Sequence, residues 1–120
     1  MTTVRLPLVV APLYEECVRS AQAGSGEHAA LAVLLADPIV HTDRFVRHAD
    51  ASGVDWDPLL DEPWSSSEEF LLRVAAGLWG RRTTADMSRL PFLDDAHFQL
   101  FQDMIAARRT ARVPESRLQR

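Results

Sequence analysis

Hydrophobic positions along this 120-residue chain recur mostly at helical spacing, and the polar residues between them mark where helices start and stop. The clearest stretch is 64–80, Trp-Ser-Ser-Ser-Glu-Glu-Phe-Leu-Leu-Arg-Val-Ala-Ala-Gly-Leu-Trp-Gly. Ser65 followed three residues later by Glu68 is a capping-box pattern, and Gly80 is a stop. Between Phe70 and Trp79 the only charge is Arg73, so the pattern predicts a helix over 66–79 that is apolar on nearly every face. Such a helix has to be wrapped by others. The expected fold is therefore all-α, a single compact bundle of about five helices around a buried central helix at 66–79. Leu71, Leu72, Val74, Ala75 and Leu78 are its expected core residues, and Gly77 marks a place where a neighbour crosses closely.

The remaining elements follow from the same periodicity. Pro12 suits a first helical position, with Leu13, Tyr14, Cys17, Val18 and Ala21 on one face and Gly24 as the stop. Ser25 caps a second, almost wholly apolar helix at 27–36, which Asp37-Pro38 ends. Thr42 caps a third at 43–52, with Phe45, Val46 and Ala49 inward and Gly53 as its terminator. Residues 54–63 form an acidic connector with one turn near Leu59 and Leu60, and 86–90 form another single turn before Pro91. The last helix is capped by Asp94, with Phe98, Phe101, Met104 and Ile105 as its inner stripe and Arg108 and Arg109 at its end. The domain is expected to span 1–109 with a partly extended N-terminal arm, leaving 110–120 as a flexible Arg-rich tail.

Charge narrows the function classes. All 13 basic residues are Arg, and the net charge is −4. Residues 1–103 carry 8 Arg against 16 acids, a net of −8, whereas 104–120 carry 5 Arg and one acid. An acidic body is a poor platform for phosphate backbones, so nucleic acid is not the expected partner. No apolar run is long enough to span a bilayer, no signal peptide is read at the start, and the single Cys17 fits a reducing cytoplasm.

Candidate chemistry is sparse. His41 and His48, with Asp43 and Asp50, lack the spacing of three or four that places two metal ligands on one helix face. Asp55, Asp57, Asp61 and Glu62 crowd together, but Leu59 and Leu60 occupy the positions where a calcium loop needs a ligand and a glycine. Ser65, Ser66 and Ser67 read as helix capping, Gly24-Ser25-Gly26 as a turn, and Cys17 as a buried small residue. No cofactor and no metal are expected. Trp56 and Trp64 flank the acidic connector and are either plugs at the edge of the core or anchors for a partner. Together with Arg108 and Arg109 they are the candidate interface residues.

The run from Trp64 to Glu68, followed by Leu71-Leu72, Ala75-Ala76, Leu78-Trp79 and then Leu93-Asp94-Asp95, resembles small actinobacterial α-helical proteins of unassigned function. The likeness covers about the C-terminal half. It implies a helical fold and transfers no activity and no site residue. The expected function is a non-enzymatic interaction or accessory protein that docks onto a larger protein partner. Two alternatives stand beside it. One is a nucleic-acid-associated regulator using Arg108, Arg109, Arg112, Arg117 and Arg120. The other is a small helical enzyme or ligand binder with His41, Asp43 and His48 in an inter-helix cavity.

Overall fold

Seven consecutive residues, Ala29 to Leu35, are buried in a computed structural model that describes residues 7 and 9–118. They belong to α2 (Gly26–Leu35), which packs against α1 (Ala11–Gln22), α5 (Ser66–Leu78) and α6 (Asp95–Thr110). Burying Leu31, Val33, Leu34 and Leu35 contributes about 1.5–3 kcal/mol per side chain. The buried rod is thus α2 and not the helix at 66–79. The reason is visible in the residues: 29–35 carry no polar side chain, whereas α5 has two glutamates in its first turn, a half-exposed Arg73 and an exposed Gly77. α5 instead buries one face, with Phe70, Leu71, Leu72, Ala75 and Ala76 inward and Val74 and Leu78 half-buried. Its capping box is formed, Ser65 and Glu68 each accepting the other's backbone N–H.

The close helix crossing also lies elsewhere. A Cβ on Gly77 would meet only Thr83 Cγ2 at 3.9 Å, but a Cβ on Gly26 would overlap the Arg108 carbonyl oxygen. Gly26 is what lets the start of α2 approach the end of α6.

The expected helix at 43–52 is cut short. α3 (Asp43–Val46) is a single turn capped by Thr42, after which Ala49–Asp50 (β1) pairs antiparallel with Gly53–Val54 (β2). The Asp50 carboxylate accepts from both Ser52 N (2.8 Å) and Ser52 Oγ (2.6 Å), and Gly53 adopts φ 147°. Side-chain bonding two residues ahead offers the backbone an alternative to the helix, and only glycine takes that φ without strain. The fold is mostly helical with this one small hairpin among the described residues. α4 (Trp56–Leu60) then leads into α5.

The expected inner stripe of α6 holds in part: Met104 is buried together with Leu100 and Ala107, while Phe101 and Ile105 are half-buried and Phe98 is exposed. Beyond it the segment expected to be flexible runs across the body. Ala111 ends α6 with φ 56°, and a short turn at Glu115–Arg117 brings Arg117 between two carboxylates. Its Nη1 donates to Asp37 Oδ2 (2.6 Å) and its Nε to Asp103 Oδ2 (3.1 Å), and the Tyr14 hydroxyl donates to the Arg117 carbonyl (2.7 Å). Asp37 is the one charged residue in the core of the described chain, and the cation it needs comes from this strap. Most of the expected N-terminal arm (1–6 and 8) and the end of the tail (119–120) lie outside the described residues; Val10 is fully buried.

Candidate interaction surface

The four expected interface residues divide. Trp56 is 4 % exposed and part of the core, so it is a plug and not an anchor. Trp64 is half-buried, donates from Nε1 to the Leu59 carbonyl (2.8 Å) and lies under the Arg44 guanidinium, 5.4 Å from the ring centroid. Arg108 is committed to Glu27 (3.3 Å) and to the Leu78 carbonyl (3.2 Å), which ties α6 to α2 and α5. Arg109 is exposed, as is Arg112, while Arg117 is consumed by Asp37 and Asp103 and Arg120 lies outside the described residues. Of the four described C-terminal arginines, two are therefore engaged with carboxylates and two are exposed.

The histidines lie in separate settings. His48 Nε2 lies 2.6 Å from Glu62 Oε2, with Arg47 3.5 Å away, and this contact holds the Glu62 carboxyl below its ordinary range. His41 is exposed at the end of a short turn (Pro38–Val40). His28 Nδ1 contacts Ser25 Oγ at 2.6 Å, with its ring edge-on to Trp79 at 4.9 Å. Among the described residues no carboxylate hydrogen-bonds the His28 ring, so this serine–histidine pair lacks the orienting acid a nucleophile needs. Burial pushes the Cys17 thiol up to about 12, which leaves it unreactive. Among the described residues no group of three or more His, Cys, Asp or Glu is placed to hold a metal, and no helix is long and apolar enough to cross a membrane.

What stands out on the surface is apolar. Phe92 is 74 % exposed, Met87 55 % and Phe98 39 %. Met87 and Phe92 bound a 3-10 turn (Met87–Phe92) whose start Asp86 caps through Ser88 N (3.1 Å). Within this turn Leu90 packs half-buried on the core while Phe92 is exposed. The Arg89 guanidinium sits 6.0 Å from the Phe92 ring, and Phe98 stacks on Phe101 (6.3 Å), which in turn packs on Phe70 (5.8 Å).

Arg89 and Phe70 both line a cleft of about 670 Å³ between α5 and the 81–86 loop, together with Ser66, Glu69, Arg73 and Asp86. Phe92 and Arg89 thus lie at the cleft, while Phe98 reaches it only through Phe101 and the buried Phe70. Sequence reasoning missed this surface because Phe98 satisfies both a staple position and a core periodicity. Phe92 follows a proline in a segment with no period at all. That last feature, a large aromatic outside any periodic element, was the available signal.

The chain matches no protein-family model, and no curated protein or solved structure shows significant similarity to it. The surface has to be read from its own chemistry.

Proposed function

We propose that this is a non-enzymatic accessory protein that docks onto a larger protein through the Met87–Phe92–Phe98 surface, in a reducing, cytoplasmic setting. The observation that carries the reading is Phe92, a phenylalanine three-quarters exposed on a rigid proline-bearing turn. Exposing such a ring costs free energy in isolation, and aromatic residues, Phe among them, are enriched at protein interfaces. A second copy of the chain fits less well than another protein. A two-fold contact centred on Phe92 would bring the exposed Asp86, Asp94 and Asp95 of each copy towards their equivalents. Nucleic acid is disfavoured by the acidic body and by the commitment of Arg108 and Arg117 to carboxylates.

The test is affinity purification from the native host with wild type, Phe92→Ser, and Arg109→Ser/Arg112→Ser. The reading expects one protein to co-purify with wild type and with the arginine variant, and to be lost with Phe92→Ser. Retention by Phe92→Ser, or recovery of nucleic acid that the arginine variant loses, would overturn it. So would sedimentation as a Phe92-dependent dimer.

A further inference from the structure

The geometry points to a partner segment that places an Asp or Glu carboxylate in the cleft between Arg73 and Arg89 and an apolar side chain on Phe92. This rests on the docking reading above and names the chemistry of what docks.

Arg89 is the anomaly of the surface. Its Nε is buried and has no hydrogen-bond partner among the described residues, and the guanidinium faces the Phe92 ring. The other cleft charges are already spoken for. Glu69 accepts from Arg73 Nε (3.2 Å), and Arg73 Nη1 donates to Thr83 Oγ1 (3.1 Å). Asp86 Oδ1 accepts from Ser88 N (3.1 Å) and Ser88 Oγ (2.7 Å); these bonds, more than the charge of nearby Arg89, hold the Asp86 carboxyl low. The cleft thus contains hydrogen-bonded carboxylates and a guanidinium whose buried Nε is not hydrogen-bonded. A desolvated donor that goes unused is rare in a folded chain and calls for an acceptor.

A guanidinium offers Nε and one Nη as a fork that matches a carboxylate. Arg89 is half-buried and lines the cleft wall. The spacing sets the motif. The Phe92 ring lies 6.0 Å from Arg89 Cζ, and consecutive Cα atoms are about 3.8 Å apart. The acid and the apolar anchor of the partner are therefore close together, within a few residues of each other if they come from one segment.

The test is selection from a random 12-residue peptide library displayed as N-terminal fusions, which carry no free C-terminus, against the full chain. Selected peptides are then measured by fluorescence anisotropy against wild type, Arg89→Met and Phe92→Ser. The inference expects enrichment of Asp or Glu within a few residues of a large apolar residue. It also expects at least a tenfold loss of affinity with Arg89→Met. Replacing the peptide's acid by its amide should give a similar loss on wild type, and no further loss on Arg89→Met. The amide arm reads the same interaction on the unaltered protein should Arg89→Met fold poorly.

Phe92-dependent peptides with no preference for an acid would overturn the inference and leave docking standing. Failure to select any Phe92-dependent peptide, or a Phe92-dependent dimer of the chain itself, would overturn both.

Discussion

Replacing Arg117 by Met tests whether the C-terminal strap is part of the folded domain. The guanidinium makes two charge-assisted contacts, to Asp37 at 2.6 Å and to Asp103 at 3.1 Å, with all three side chains only 12–15 % exposed. The substitution keeps the apolar stem and removes both contacts. Each carboxylate retains a partner for its other oxygen, Asp37 from Ile39 N (3.0 Å) and Asp103 from Gln99 Nε2 (2.8 Å), so neither is left bare. A hydrogen bond to a charged group is worth about 1.5–3 kcal/mol, and partial solvent access screens some of that. The expected loss is about 2–4 kcal/mol, towards the buried-pair end because Asp37 is a core residue. Urea denaturation should show the midpoint falling by roughly 1–2 M with an unchanged slope. Adding Asp37→Asn should recover part of the loss, with a coupling above about 1 kcal/mol. As a control, Arg19→Ala removes a pair with more than half of each side chain exposed and should cost less than about 0.5 kcal/mol. If Arg117→Met costs no more than that control, the strap is a tail after all and its contacts contribute nothing.

Three further outcomes are expected. Gly77→Ala should stabilise by up to about 1 kcal/mol, since the site is open and helical, whereas Gly26→Ala should destabilise by about 1–3 kcal/mol because its Cβ meets backbone; thermal melts of the pair check both. The lowered Glu62 carboxyl contributes stability that is present above its ordinary value of 4.5 and lost as pH falls through the folded-state value, so Glu62→Gln should flatten the acid side of the stability–pH curve. Cys17 should resist a thiol reagent at pH 8 in the native protein and react fully in urea; rapid native labelling would contradict its burial.

Local signals in the sequence were read well where a side chain acts on its own neighbours. The caps at Ser25, Thr42, Ser65 and Asp94 all form, because each needs only the backbone two or three residues ahead. Choices between two apolar helices, or between two faces of one, were not legible. Residues 29–35 and 70–79 both read as almost wholly apolar, and what separates them, the polar residues of α5 against none at 29–35, shows its weight only once both helices are packed. The hairpin at 49–54 hid behind residues that also fit a helix end, since Gly53 serves equally as a helix stop and as a turn glycine. Arg117 looked like one arginine among five, because its partners Asp37 and Asp103 are 80 and 14 positions away. The candidate surface was the least legible of all. Phe92 has no period to place it, and the orphan donor of Arg89 exists only in three dimensions.

The most direct test of docking through this surface is site-specific photo-crosslinking in the native host. A benzophenone side chain is placed at position 92 and, as a control, at exposed position 22 on α1. The account predicts one discrete protein adduct from position 92, none from position 22, and loss of the adduct when Arg89→Met is combined with Phe98→Ser. Equal labelling at the two positions, or an adduct only between two copies of this chain, would contradict it.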